Sequence, residues 1–273
     1  MILIKKNITP EARLAIDELL KANGKKAHFK QLGGKTESEK DTKYSLSNKE
    51  KIQASLLKEQ GGICAYCMQR IFTAEKIEHW TAQKTLIQNP NETLNYDIML
   101  AVCSGEIDTG GIKNNKPIFL HHCDTLRGEI TGTSKNEDDD KLTINPTDET
   151  LIKYIKYSKL GQIYFQSGDD TLDKLVNDDI IRKLALDIMP NDKEDGLPHS
   201  DANRYFLRLN RRYAYKQAET LCKAYRIRFK TDFPRIIAKY IKETWEERDK
   251  DGNLNPYCGI VLYFKEKLCR PTY

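Results

Sequence analysis

No apolar run in this 273-residue chain approaches the roughly 18 residues that a bilayer span requires. The opening Met1-Ile2-Leu3-Ile4-Lys5-Lys6 offers four apolar residues before its lysines, too few for the core of a secretory signal. Low-complexity tracts and internal repeats are missing, which sets aside disordered tails and solenoids. An even disulfide framework is missing too: there are seven cysteines, and the expected compartment is the reducing cytosol, where thiols are buried or bind metal. Nor does either sign of charge dominate, since 45 Lys+Arg against 40 Asp+Glu leave a formal +5. What remains is a globular composition, 39% hydrophobic and 31% charged, long enough for one large unit or two modest ones.

The near-neutral total hides a segregation. Residues 1–60 carry 13 Lys/Arg against 8 acids and residues 204–249 carry 13 against 6, whereas 167–195 holds nine acids and four bases. Two basic segments flanking an acidic one suit a protein that offers one face to phosphates; solvated helix faces give the same count. On the stretch 202–226, Arg204, Arg208, Arg211 and Arg212 fall on nearly one helical face, interleaved with tyrosines. They are the candidate nucleic-acid contacts, unless they pair with the acidic segment instead.

The pattern predicts three regions. Residues 1–60 form an N-terminal helical region with a basic arm. One helix is capped by Thr9, opened by Pro10 and closed at Asn23-Gly24, and a second starts from a Ser47/Glu50 capping box and stops at Gly61-Gly62. Between them, Lys25 to Tyr44 reads as a loop or arm. Residues 61–146 form an irregular centre. In 147–273, mainly helical, a hairpin joins Tyr154-Ile155 to Ile163-Tyr164-Phe165, and helices follow at about 172–188, 202–226, 233–249 and 257–268. Leu142-Thr143-Ile144 reads as a short strand before the Asn145-Pro146 turn.

The centre carries the chemistry. Gly61-Gly62 is followed at once by Cys64-Ala65-Tyr66-Cys67, the tight turn with which a zinc knuckle points two thiolates at one tetrahedral ion. Cys103 follows after 35 residues and Cys123 after 19 more. The element before the motif is a helix, whereas a thioredoxin-like redox pair needs a strand there. Four thiolates can close a structural zinc site, with His121 or His122 as alternative ligands; four unconnected buried cysteines are the other reading. Cys222, Cys258 and Cys269 have no close-spaced partner and read as buried hydrophobes.

Between the cysteine pairs stands Ile77-Glu78-His79-Trp80, then Leu94-Asn95-Tyr96 and Leu100-Ala101-Val102-Cys103, then His122-Cys123-Asp124-Thr125-Leu126-Arg127-Gly128. In this order the string resembles the PtuB-like HNH endonucleases of Septu antiphage systems and of the retron systems that carry the same effector pair. The specific motifs cover roughly residues 61–130.

The resemblance implies an α+β, mostly helical fold, in which an HNH (ββα-metal) core with a four-cysteine zinc knuckle is embedded between N-terminal and C-terminal helices. It implies His79 as general base, Glu78 and Asp124 as ligands of a catalytic Mg2+ or Mn2+, and Arg127 as a contact to the scissile phosphate. The implied substrate is DNA or structured RNA such as tRNA. The implied partners are an ABC-type ATPase (PtuA-like) and, in retron systems, a reverse transcriptase with its RNA–DNA product. A non-catalytic, zinc-stapled adaptor subunit of the same complex is the alternative. At the middle motif position, where Asn is usual and braces the histidine loop, this chain has Ile98. Asn95 lies three residues away, and a strand cannot slide by three without reversing its faces.

Overall fold

Thr9 and Ser47 open the first two helices with the same chemistry. In the computed structural model, which describes residues 1–33, 47–72, 76–86, 88–133, 141–187 and 206–270, the Thr9 side chain accepts from the Ala12 amide and Pro10 leads α1 (Pro10–Asn23). Ser47 and Glu50 form the reciprocal capping box of α2 (Asn48–Gln60), which ends at Gly61 in the left-handed region. A Cβ at Gly61 would stand 2.7 Å from Leu254 Cγ, so both φ and space require glycine there. Part of the predicted arm is ordered as two 3-10 turns, Gly24–Lys26 and Phe29–Gly33, and its continuation over 34–44 lies outside the described residues.

Among the described residues, three separate two-stranded antiparallel sheets follow. In the first, β1 (Lys76–His79) pairs with β2 (Met99–Val102), with Lys76 opposite Val102 and His79 opposite Met99. Between Cys103 and Cys123, where sequence suggested only an insertion, β3 (Glu106–Lys113) and β4 (Lys116–His121) form a hairpin. Its two-residue turn, Asn114-Asn115, has both φ values positive, the conformation that asparagine tolerates best among residues with a Cβ. Helix α3 (Cys123–Thr133) begins at the fourth cysteine, so β1, β2 and α3 surround the central site. After the short α4 (Glu149–Ile152), the predicted hairpin is present as β5 (Ile155–Tyr157) and β6 (Ile163–Phe165).

The predicted strand at 142–144 does not form. The Thr143 and Ile144 amides donate to one carboxylate oxygen of buried Asp179, which occupies the donors a partner strand would need. The C-terminal helices are α5 (Asp170–Asp178), α6 (Phe206–Phe229), α7 (Phe233–Ile241), α8 (Cys258–Tyr263) and α9 (Lys265–Cys269). Helices α5 and α7 each run on into a π turn, Asp179–Lys183 and Lys242–Glu246. The last predicted helix is thus two pieces, and the start of the one predicted from 202 lies outside the described residues. Ile16, Ile52, Met99, Phe165, Ile237 and Ile260 belong to one hydrophobic cluster, so the three predicted regions share a core. No helix among the described residues is long and apolar enough to cross a membrane.

The arginine face predicted on α6 is divided. Arg211 is 1% exposed: it donates to the carbonyls of Gly161 and Leu186 and pairs with Asp187 at 3.2 Å. It pins the β5–β6 turn and the end of the acidic segment to the helix, and it is not a nucleic-acid contact. Arg212, one residue on, is exposed, Arg208 is half-buried, and Arg204 lies outside the described residues. Removing a partner from a buried ion pair leaves an uncompensated charge. Arg211→Ala is therefore expected to lower unfolding stability by about 3–5 kcal/mol and Arg212→Ala by less than about 0.5 kcal/mol, measured by urea denaturation.

Candidate metal centre and the carboxyl–histidine site

The Gly61-Gly62 turn leads directly into a knuckle, with the Cys64 amide donating to the Gln69 carbonyl and the Met68 amide to the Cys64 carbonyl. The buried Gln60 side chain ties this knuckle to β2: it donates to the Ile63 and Ala101 carbonyls and accepts from the Ala101 amide. Cys103 follows β2 directly, and the Cys123 amide is held by the Leu184 carbonyl at 2.8 Å. These elements bring all four sulfurs within 4.8 Å of one another, every one of them buried.

The spacing decides what the quartet is. Cys64 and Cys123 sulfurs are 3.9 Å apart, and those of Cys67 and Cys103 3.8 Å. A tetrahedron with metal–sulfur bonds of about 2.3 Å has an edge of roughly 3.8 Å, whereas a disulfide requires about 2.05 Å. The donor set therefore fits a structural zinc ion. Burial resists charge on Cys67, but hydrogen bonds from the neighbouring sulfurs and His122 outweigh it and hold this thiol well below the usual range. Burial and the adjacent sulfurs push Cys123 well above it.

Neither histidine replaces a cysteine. His121 turns outward to Glu129 at 2.5 Å. His122, 1% exposed, places Nδ1 3.1 Å from the Cys123 sulfur, while its Nε2 is buried without a hydrogen-bond partner. With a metal ion bound, Cys123 would be a thiolate and His122 Nδ1–H could donate to it, the outer contact that orients a metal ligand.

Beside this cluster lies the second site. Glu78 and His79 are neighbours on β1 and so face opposite ways. Glu78 turns toward α3, where Arg127 donates to it and Asp124 shares a hydrogen bond with it. The Tyr66 hydroxyl, from inside the cysteine knuckle, reaches Glu78 at 3.5 Å. Burial, then the bond to Asp124, push the Glu78 carboxyl well up, against the pull of Arg127. The Glu78 and Asp124 carboxyl groups thus stand near one another, with the Arg127 guanidinium against Glu78.

His79 turns the other way, beneath the 3-10 turns Pro90–Leu94 and Gln83–Leu86. Its Nε2 lies 2.8 Å from the Thr93 carbonyl, which can only accept, so Nε2 carries the proton. Nδ1 holds the lone pair and receives the Gln83 amide at 3.0 Å. Phe29 packs edge-on at 4.6 Å between ring centres, and burial lowers the His79 pKa from its ordinary value, which favours the neutral ring.

Of the residues singled out in sequence, the four cysteines converge, and Glu78 pairs with Asp124. Among the described residues, the cysteines form the one group of three or more metal-ligating side chains; Glu78, His79 and Asp124 do not join into another. Arg127 is 3% exposed and spends its donors on Glu78 and the His79 and Trp80 carbonyls, so it braces the β1 end from within and is not an open phosphate contact. The brace expected at Ile98 comes from the Thr93 carbonyl and Gln83. Asn95 is exposed, and its side chain caps the Asp97 amide. Both braces are invisible in sequence, because one is a backbone carbonyl and the other a side chain from a turn with no motif.

No protein-family model matches this chain, and no curated protein matches it. Cys64→Ser is expected to reduce bound zinc and soluble yield, measured by metal analysis. His122→Phe should keep the fold, as seen by circular dichroism, but weaken zinc retention against a competing chelator by about 10–100-fold.

Proposed function

We propose that this protein is a metal-dependent endonuclease of the HNH type that hydrolyses phosphodiester bonds in DNA or structured RNA. The observation that carries the reading is a neutral histidine of fixed tautomer at the end of β1, next to a hydrogen-bonded carboxyl pair, on a strand–strand–helix unit tied to the four-cysteine cluster. Nothing in a purely structural zinc module calls for that combination.

Each residue has a task in this reading. With its Nε2 proton committed to Thr93, His79 offers Nδ1 as the acceptor for a proton from water, once the Gln83 amide turns aside. A lowered pKa keeps that lone pair available at neutral pH. Glu78 and Asp124 are hard oxygen donors already close enough to share a hydrogen bond, and they fit Mg2+ or Mn2+. Such an ion supplies charge stabilisation at the phosphate and its leaving oxygen. Arg127 fixes Glu78 and the β1 carbonyls, and so sets where the carboxyl pair stands.

The biological setting follows from the motif resemblance: a toxic effector of an antiphage complex with an ABC-type ATPase, joined in retron systems by a reverse transcriptase and its RNA–DNA product. The adaptor reading is favoured by one observation. His79 is 3% exposed with both ring nitrogens engaged, and Glu78 is closed by Arg127. An ATPase partner that opens this site reconciles the two.

The test is cleavage of plasmid and of total RNA, with and without Mg2+ or Mn2+, with and without the partner ATPase. His79→Ala is expected to lower the rate by about 10²–10⁴-fold while keeping zinc, the range for loss of a general base. Identical products from wild type and His79→Ala under every condition would establish the adaptor instead.

A further inference from the structure

Four 3-10 turns, Gly24–Lys26, Phe29–Gly33, Gln83–Leu86 and Pro90–Leu94, surround His79, and the last of them touches each of the other three. Thr93 is their hinge point: its carbonyl takes the His79 Nε2 proton and its hydroxyl accepts the Phe29 amide at 2.9 Å. Phe29 in turn lays its ring against His79. The segment just after α1 is therefore fixed to the histidine by both backbone and side chain.

The charge on this platform is one-sided. Its turns carry Lys25, Lys26, Lys30 and Lys84, all exposed, against a single acid, Glu92. Lys84 also reaches across to the Thr131 carbonyl of α3, the helix that bears Asp124. His28 accepts the Lys30 amide on Nδ1, which leaves its Nε2 as a further donor on the same turn. The α6 face first expected to hold phosphates differs: Arg211 is buried on Asp187, and Lys216 and Lys223 both lie against Glu219. A cation beside a carboxylate has little left for a phosphate, and Lys25, Lys26 and Lys30 lie exposed on turns that carry a single acid among the described residues.

We propose that the lysine platform of Lys25, Lys26 and Lys30 is the surface that holds polynucleotide phosphates alongside His79. The inference rests on the nuclease reading for its place near the reacting ester, yet binding can be measured without cleavage. Each phosphate neutralised by a lysine contributes about 0.9 to the slope of log K against log salt on duplex DNA, and about 0.7 on single strands.

The experiment titrates the full chain against duplex DNA and against single-stranded RNA over a range of salt, without added divalent ions. It compares wild type, Lys25→Gln/Lys26→Gln/Lys30→Gln and the α6 control Lys216→Gln/Lys223→Gln, with circular dichroism confirming the fold of each. The triple variant is expected to lose about 0.7–0.9 of slope per lysine, on whichever polymer is bound, and the control to keep the wild-type slope. Lysine-dependent binding by a protein that cuts neither polymer would sustain this surface while removing the nuclease reading. An unchanged slope in the triple variant, a slope lost only in the control, or a variant that binds nucleic acid normally but no longer co-purifies with its protein partner would overturn the proposal.

Discussion

The convergence of four sulfurs is the constraint on which the centre of this protein depends. Few of the elements around it would hold their positions alone. β1 and β2 have four residues each and, among the described residues, are paired only with one another, and a lone two-stranded hairpin is marginal in water. The cysteine knuckle, the end of β2 and the start of α3 meet at one point, where a bound ion would anchor them in place of a larger sheet. A single structural zinc ion in small modules is worth about 10–16 kcal/mol of apparent binding energy, comparable to the net stability of a whole domain.

That anchor also fixes the chemistry beside it. Cys123 starts α3, so Asp124 and Arg127 are one and four residues from a sulfur of the cluster. Cys103 directly follows the strand whose partner carries Glu78 and His79. Tyr66, between the first two cysteines, touches Glu78. The carboxyl pair is thus tied to the cluster through three short paths. A loss of the ion would be felt at Glu78 before it reached the C-terminal helices, which are held by their own buried pairs such as Arg211–Asp187.

Sequence discloses the parts governed by local rules. Thr9, Ser47 with Glu50, and Gly61 set helix ends through backbone chemistry that needs no distant partner, and the structure follows them closely. The cysteine spacing is legible for a related reason: four soft donors in a chain with no disulfide framework have few other uses. What fails is governed by tertiary partners. Leu142 to Ile144 has strand composition, but Asp179, 35 residues away, takes its amides. Arg211 shares a helical face with Arg208 and Arg212, yet Asp187 and two carbonyls draw it into the core. Arg127 carries the charge of a phosphate contact and proves to be a brace. The hairpin between Cys103 and Cys123 has a weak local signal, Asn114-Asn115 between strand-length segments, which the glycines and lysines around it obscure.

Zinc K-edge absorption on the purified protein bears most directly on the constraint beneath all of this. Four sulfur scatterers at about 2.3 Å and no nitrogen in the shell are the expected result. A mixed sulfur–nitrogen shell, or a folded protein that holds no metal, would contradict the arrangement on which the site and its proposed chemistry stand.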